Sequence, residues 1–207
     1  MHYKFPQNIK IDEVRNAISN ANSRIGNNHA FIEADRDEII IFNYLISTPE
    51  SFPEPITGNE LIDREYSILR ECRGLTFDKF TKNILARKWH KFFNLNEKEE
   101  TQEHKINWNE VSSVTSKMDG SMICPVMVSG NIEWHTKMGL TDIGNIVGTF
   151  VSNKPNYNRI ATWAYDNNKT LLFEFCSRKN RIVIDYPNDQ LILLAIRDNI
   201  TGLYHSY

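Results

Sequence analysis

Short apolar runs broken by turn residues, rather than any long periodic stretch, place the tightest limit on what this chain can fold into. Ala30 to Ala34 and Glu38 to Tyr44 are separated by Asp35-Arg36-Asp37 and read as a hairpin. Gly74 to Asp78 and Ile84 to Trp89 read as a second strand pair. Val111 to Ser116 and Met122 to Val128 flank Lys117-Met118-Asp119-Gly120, and Ser129-Gly130-Asn131 turns the chain into Ile132 to Thr136. Three further strands are expected at Leu171 to Cys176, Arg181 to Tyr186 and Leu191 to Arg197. Ile11, Val14, Ile18 and Ala21 follow helical spacing, which predicts an amphipathic helix over about 10 to 24. Shorter helices are expected from Glu60 to Leu69, after a Thr141 cap along Ile143, Ile146, Val147 and Phe150, and around Tyr157 to Tyr165. The class is α+β: antiparallel hairpins with helices on the outside.

Composition narrows the function. With 207 residues, 41% of them hydrophobic, the chain can build one sizeable core. No apolar run approaches the roughly 20 residues needed to span a bilayer, and the N-terminal stretch from Met1 to Val14 lacks the apolar centre of a signal peptide. Cys72, Cys124 and Cys176 lie far apart with no CxxC, which fits a reduced, cytoplasmic protein without structural zinc, host cytoplasm if the source is viral. The net charge of −2 does not by itself point to nucleic acid. Locally, Lys79, Lys82, Arg87, Lys88 and Lys91 form one basic run and Arg178, Lys179 and Arg181 another, opposed by an acidic segment from Glu97 to Glu103. Solvated loops and strand faces are the bland reading of each run; a joint polyanion site is the sharper one. Neither GxxxxGK[ST] nor GxGxxG occurs, so neither a P-loop nor a dinucleotide fold is indicated.

Lys117-Met118-Asp119-Gly120-Ser121 alone is weak, because Asp-Gly is a common turn between strands. Its company is more telling: Glu71-Cys72-Arg73-Gly74, then Lys91-Phe92-Phe93-Asn94-Leu95-Asn96-Glu97, then Phe173-Glu174-Phe175 with Asn180-Arg181-Ile182-Val183-Ile184 and Leu191-Ile192-Leu193-Leu194. In this order the elements resemble the phage-type RNA ligase 1 family of ATP-dependent covalent nucleotidyltransferases, from about Phe42 onward. The resemblance implies an antiparallel-sheet, ATP-grasp-like adenylation domain with outer helices, C-terminally incomplete. It is expected to occupy 1–207 as one domain, with an N-terminal helix and hairpin at about 1–48 and a nucleotide-binding core at about 60–207, without an RNA-specificity domain.

The implied chemistry is RNA joining with ATP and Mg²⁺. Lys117 would attack the α-phosphate to form enzyme–AMP, AMP would pass to an RNA 5′-phosphate, and a 3′-hydroxyl would seal the break, tRNA being one candidate substrate. A lysine nucleophile must be neutral, against an ordinary pKa of about 10.4, so nearby cations and partial burial would have to lower it. A lysine is also suited to a phosphoramidate intermediate that splits one hard transfer into two steps. By resemblance, Arg73 and Lys91 sit on ribose or phosphates, Glu174 on the ribose, and Lys137 after the hairpin can reach phosphate or remain a solvated lysine. Asp119 and Gly120 shape the turn beside the nucleotide. Phe42 lies in an aromatic-Asn-Tyr stretch near the nucleotide, where it replaces a tyrosine; a core aromatic is its competing reading. Phe173 and Phe175 share a sheet face opposite Glu174, which favours core packing for both. Arg181 touches the nucleotide or supports a strand turn.

Two elements of the family pattern, a glutamate-glycine motif and a K-x-K motif, do not occur in this sequence in the expected order. Loss of such cationic partners at phosphorus typically costs about 100-fold or more, so this chain alone is expected to adenylylate slowly if at all, and a separate chain supplying them is an expected partner. A DNA ligase or capping enzyme is a second enzymatic alternative. A nucleotide- or RNA-binding remnant without catalysis is the alternative from another class.

Overall fold

The computed structural model describes residues 4–48, 50–110, 114–178 and 181–205. Its strands form two antiparallel sheets, each carrying two helices. The first sheet has the order β1 (Phe31–Asp35), β2 (Ile39–Tyr44), β3 (Arg73–Asp78) and β4 (Ile84–Ala86). Helix α1 (Ile11–Ile25) puts Ile11, Val14, Ala17, Ile18 and Ala21 into the core against it, as the spacing predicts, and ends at Gly26, whose φ of 69° is the left-handed cap geometry. Helix α2 (Glu60–Glu71) starts where the Asn59 side chain accepts from the Leu61 and Ile62 amides, and buries its last turn.

The second sheet runs β7 (Gly139–Leu140), β6 (Asn131–Thr136), β5 (Ser121–Val128), β8 (Lys169–Cys176) and β9 (Gln190–Asp198). Thr141 caps α3 (Asp142–Val151), and Pro155 opens α4 (Pro155–Asp166) at a position where its missing N–H costs nothing. Both helices cover a core made of Trp134, Phe173, Phe175 and Leu171. Phe173 and Phe175 are therefore packing residues.

The two sheets are joined by a buried ion cluster. Glu71, at the end of α2, accepts from Arg87 at 2.8 and 3.1 Å and from Arg197 of β9 at 2.7 Å, and all three side chains are fully buried. Further guanidinium hydrogens go to backbone carbonyls: Pro6 at 2.8 Å and Ile200 at 3.4 Å from Arg87, Gly202 at 2.8 Å from Arg197, and Lys88 from Arg197. Burial pushes the Glu71 carboxyl up, but the two guanidiniums prevail and hold it down at about 2.

Three expectations from sequence are corrected. The strand expected over Ile84 to Trp89 stops at Ala86, because the Arg87 amide is taken by the Thr170 hydroxyl at 2.8 Å and its side chain by Glu71. The strand expected over Val111 to Ser116 is absent at Val114–Ser116, where the chain is exposed; Val111–Ser113 lie outside the described residues. Both edges of β5 are already occupied, by β6 and β8. The strand expected over Arg181 to Tyr186 is an irregular loop whose Ile182, Val183 and Ile184 are exposed, and whose Val183 and Ile184 amides are taken by the Asp119 carboxylate rather than by a neighbouring strand.

The first basic run is also not one surface patch. Arg87 and Lys88 are interior, and Lys79 pairs with Asp35 at 2.6 Å. Lys88 is 2% exposed, donates to the Thr76 hydroxyl at 3.3 Å, and has no ion pair among the described residues; burial pushes it down to about 8.

Two stability measurements follow from these groups. Glu71→Gln leaves two buried guanidiniums facing a neutral amide and should cost about 3–5 kcal/mol, lowering the melting temperature by roughly 10 °C. The stabilisation from Glu71 is present above its ordinary pKa of 4.5 and is lost as the pH falls toward about 2. Lys88 acts with the same sign over an alkaline window, but there it is the charged form that destabilises the fold. Its depressed pKa means the unfolded chain binds more protons between about pH 8 and its ordinary 10.5, so stability rises with pH across that window. Lys88→Met should flatten that rise and add about 1–3 kcal/mol at pH 7, read by denaturant titration at a series of pH values.

Candidate functional site

At the seam between the sheets, the sequence element Glu71-Cys72-Arg73-Gly74 divides its labour. Glu71 turns into the ion cluster, while Arg73, the first residue of β3, stays partly exposed toward the second sheet. Gly74 has φ of 86°, and a Cβ there would lie 2.8 Å from the Lys137 carbonyl and from the Lys88 stem. Only glycine allows β3 to approach the turn after β6 this closely. Asn43 of β2 reinforces the contact by donating to the same Lys137 carbonyl at 3.2 Å.

The turn from Lys117 to Gly120 leads into β5. Lys117 is exposed. The Asp119 carboxylate accepts from the Val183 and Ile184 amides, both at 2.7 Å, and its own amide donates to the Tyr186 hydroxyl at 3.0 Å. Those two amides, from Ile184 and Val183, hold the Asp119 carboxyl below its ordinary value, with Lys117 and Arg181 contributing. Gly120 packs flat on β8: a Cβ on it would sit 2.2 Å from the Phe175 carbonyl. Glu174 pairs across the strands with Met122, beside that turn, where the Gly120 amide acts to lower its carboxyl pKa.

Glu174 is the electrostatic centre of the group. Burial raises its carboxyl above the ordinary value, while Lys117, the Gly120 amide and Arg73 oppose that rise and Asp119 adds to it. Lys137 joins through Arg73: burial and then Arg73 lower its pKa, and its Nζ lies 4.5 Å from the centre of the Tyr44 ring. Lys117, Asp119, Gly120, Glu174, Arg73 and Lys137 thus form one coupled set. Such a set presents a primary amine, two carboxylates and two further cations at the seam, which suits a phosphorylated ligand bearing hydroxyls.

Two sequence candidates lie apart from this set. Lys91 is part-buried, with Nζ 3.7 Å from Glu97 and 4.5 Å from the Phe93 ring centre. It connects to the set through an edge-to-face ladder of rings, Tyr44 to Phe52 at 5.1 Å and Phe52 to Phe93 at 6.0 Å, and through its neighbour Phe92, whose ring centre lies 5.1 Å from the Arg73 guanidinium. Phe42 is fully buried, edge-on to Phe77 at 5.8 Å in the core beneath α1 and α2. Its side chain cannot reach the set, since β2 directs it into that core. The aromatics beside the cations include Tyr44, at Lys137, and Phe92, at Arg73.

Sequence reasoning placed the Phe42-Asn43-Tyr44 stretch near the nucleotide but gave Asn43 and Tyr44 no individual roles, and it missed Tyr186. A polar Asn43 within an otherwise apolar strand was the one available signal, because a buried amide demands a partner. Of the second basic run, Arg178 pairs with Asp185 at 2.8 Å and Arg181 contributes to the field at Asp119; Lys179 lies outside the described residues. Among the described residues no three His, Cys, Asp or Glu converge to hold a metal ion.

Comparison with known proteins supplies the family. A family model described as RNA ligase matches residues 71–207, which hold Arg73, Lys91, Lys117, Lys137 and Glu174. A protein of Thermovibrio ammonificans provisionally named an RNA ligase is 28% identical over 188 residues, covering 90% of this chain and 46% of its own length. A protein of Autographa californica nuclear polyhedrosis virus, provisionally named a bifunctional polynucleotide kinase/RNA ligase, is 29% identical over 163 residues, covering 69% of this chain and 23% of its own. The chain therefore spans less than half the length of either relative. With two-thirds of its residues matched in order and the site within them, the chain belongs to the phage RNA ligase 1 family.

Proposed function

We propose that the chain is the adenylation portion of an ATP-dependent RNA ligase of ATP-grasp-like, nucleotidyltransferase fold, with Lys117 as the nucleophile. The observation that supports this most is the coupling of Lys117, Glu174 and Arg73 within one site of a chain that belongs to an RNA ligase family. The neutral Lys117 amine attacks the α-phosphorus of ATP. A P–N bond forms, the bond to pyrophosphate breaks, and the amine loses a proton. AMP then passes to an RNA 5′-phosphate, and attack by a 3′-hydroxyl joins the ends and releases AMP.

Within this scheme Arg73 and Lys137 lie on the phosphates and Glu174 accepts from the ribose hydroxyls. Asp119 and Gly120 hold the backbone of the turn, Asp119 by clamping the loop at Val183 and Ile184, Gly120 by its flat contact with β8. Mg²⁺ would offset phosphate charge. A hard cation that keeps water and phosphate oxygens needs only one or two carboxylates, and Asp119 and Glu174 are those beside Lys117. The RNA carries a 5′-phosphate and a 3′-hydroxyl, tRNA breaks among the candidates, and a further polypeptide segment or chain would supply the K-x-K lysines.

Intact mass after incubation with ATP and Mg²⁺ is the direct test. The parent should slowly gain the mass of one AMP, and Lys117→Ala should gain none. Equal labelling of both would remove Lys117 from its role, and a folded parent that binds ATP without any adduct would favour a nucleotide-binding module without catalysis. Gly120→Ala, which must push the turn off β8, should slow adduct formation by about 100-fold, the usual consequence of misplacing a nucleophile by about 1 Å. An unchanged rate would show that the close Gly120–Phe175 contact does not position Lys117.

A further inference from the structure

An irregularity at the start of β3 stands beside Arg73. In the pairing of β2 with β3, Phe42 faces Leu75 but Asn43 faces Arg73, so Gly74 is an extra residue on β3. Its φ of 86° completes a β-bulge, a device that bends a strand and re-aims the side chain next to it. Here that side chain is Arg73.

The bulge is held from beneath by a buried polar relay. Lys88 Nζ donates to the Thr76 hydroxyl at 3.3 Å, and that hydroxyl donates to the Gly74 carbonyl at 3.0 Å. Thr76 is fully buried and Lys88 is 2% exposed. The Lys88 stem also lies 2.8 Å from where a Gly74 side chain would begin, with the Lys137 backbone against the same spot. Through its carbonyl, which accepts from Arg197, Lys88 is tied to the salt cluster as well. Its ammonium is otherwise unfavourable in this place. Among the described residues no carboxylate pairs with it, and its electrostatic neighbours Cys124 and His135 are neutral, burial driving the thiol up to about 12 and the imidazole down to about 3. A neutral side chain of the same length would avoid that desolvation. What the ammonium contributes is direction. It can only donate, so the Thr76 hydroxyl must accept from it and turn its own hydrogen toward Gly74.

We propose that Lys88 is a positioning residue for nucleotide binding: it orients Thr76 onto Gly74 and so holds the bulge that aims Arg73 beside Lys137. This rests on the reading of Arg73 and Lys137 as the phosphate-side cations of an ATP-dependent ligase, and it extends the site to two interior residues that touch no ligand.

Calorimetric titration of the full chain with ATP tests the relay in Lys88→Met, Thr76→Val and their combination. Each single variant should bind about fivefold more weakly, the worth of one oriented hydrogen bond. The combination should lose no more than either alone, because both residues act in one chain of bonds. Thr76→Ser keeps the hydroxyl and should restore the affinity of the parent. Parent-like binding in both single variants overturns the relay. So does a loss in Lys88→Met without one in Thr76→Val, or a combined loss that is the sum of the two, either of which makes Lys88 a distant charge. Asn43 gives a second reading without nucleotide, since its side-chain amide donates to the Lys137 carbonyl across the bulge. Its protons should exchange with solvent about fivefold faster in Lys88→Met, although that variant is the more stable protein. Unchanged exchange sinks the proposal, even if Thr76→Val does not fold. A parent that binds no ATP counts against the ligase reading instead, and the Asn43 exchange then decides the relay by itself.

Discussion

Glu71 held between Arg87 and Arg197 is the constraint on which the architecture turns. A carboxylate with no access to water is tolerable only if it is paired and its partners are hydrogen-bonded in turn, and here those bonds come from distant parts of the chain. The cluster fixes the end of α2 against β9 and thereby sets the first sheet relative to the second. Arg73 lies two residues from Glu71 and Lys91 four from Arg87, so the register of the site is inherited from the register of the salt cluster. The cluster contributes specificity of arrangement more than net stability, since a well-packed apolar replacement of a buried ion group is often neutral.

The site itself is assembled by backbone approach rather than by a cavity. Gly74 admits the Lys137 carbonyl, Gly120 admits the Phe175 carbonyl, and Asn43 and Asp119 add one clamp each. These contacts bring strands of both sheets to within bonding distance of one line of charged side chains. The consequence is a charged face whose geometry depends on how precisely the two sheets meet.

Much of this was legible beforehand. Periodicity placed α1 nearly to the residue, and the strand alternation correctly set Glu174 opposite Phe173 and Phe175, because local spacing dictates which face a side chain takes. Apolar runs misled where pairing was decided elsewhere: Ile182, Val183 and Ile184 look like a strand, yet the Asp119 carboxylate takes two of their amides. Charge runs misled in the same way. Nothing in Arg87-Lys88 distinguishes interior from surface until Glu71 and Arg197 are known to meet them, and contacts that far apart in sequence leave no local trace. Phe42 was drawn toward the site by analogy, whereas the strand register directs it into the core and leaves Tyr44 beside the cations.

The long reach of Arg197 also has a bearing on how the molecule is made. It meets Glu71 across 126 residues of chain. At translation rates of about 5–20 residues per second, that separation leaves Glu71 without its second guanidinium for roughly 6–25 s. During that interval the first sheet can hold its apolar core, but its inner end carries a charge cluster that is not yet closed, and it stays accessible to water there. Docking of β9 is then the event that closes the charge cluster between the two sheets.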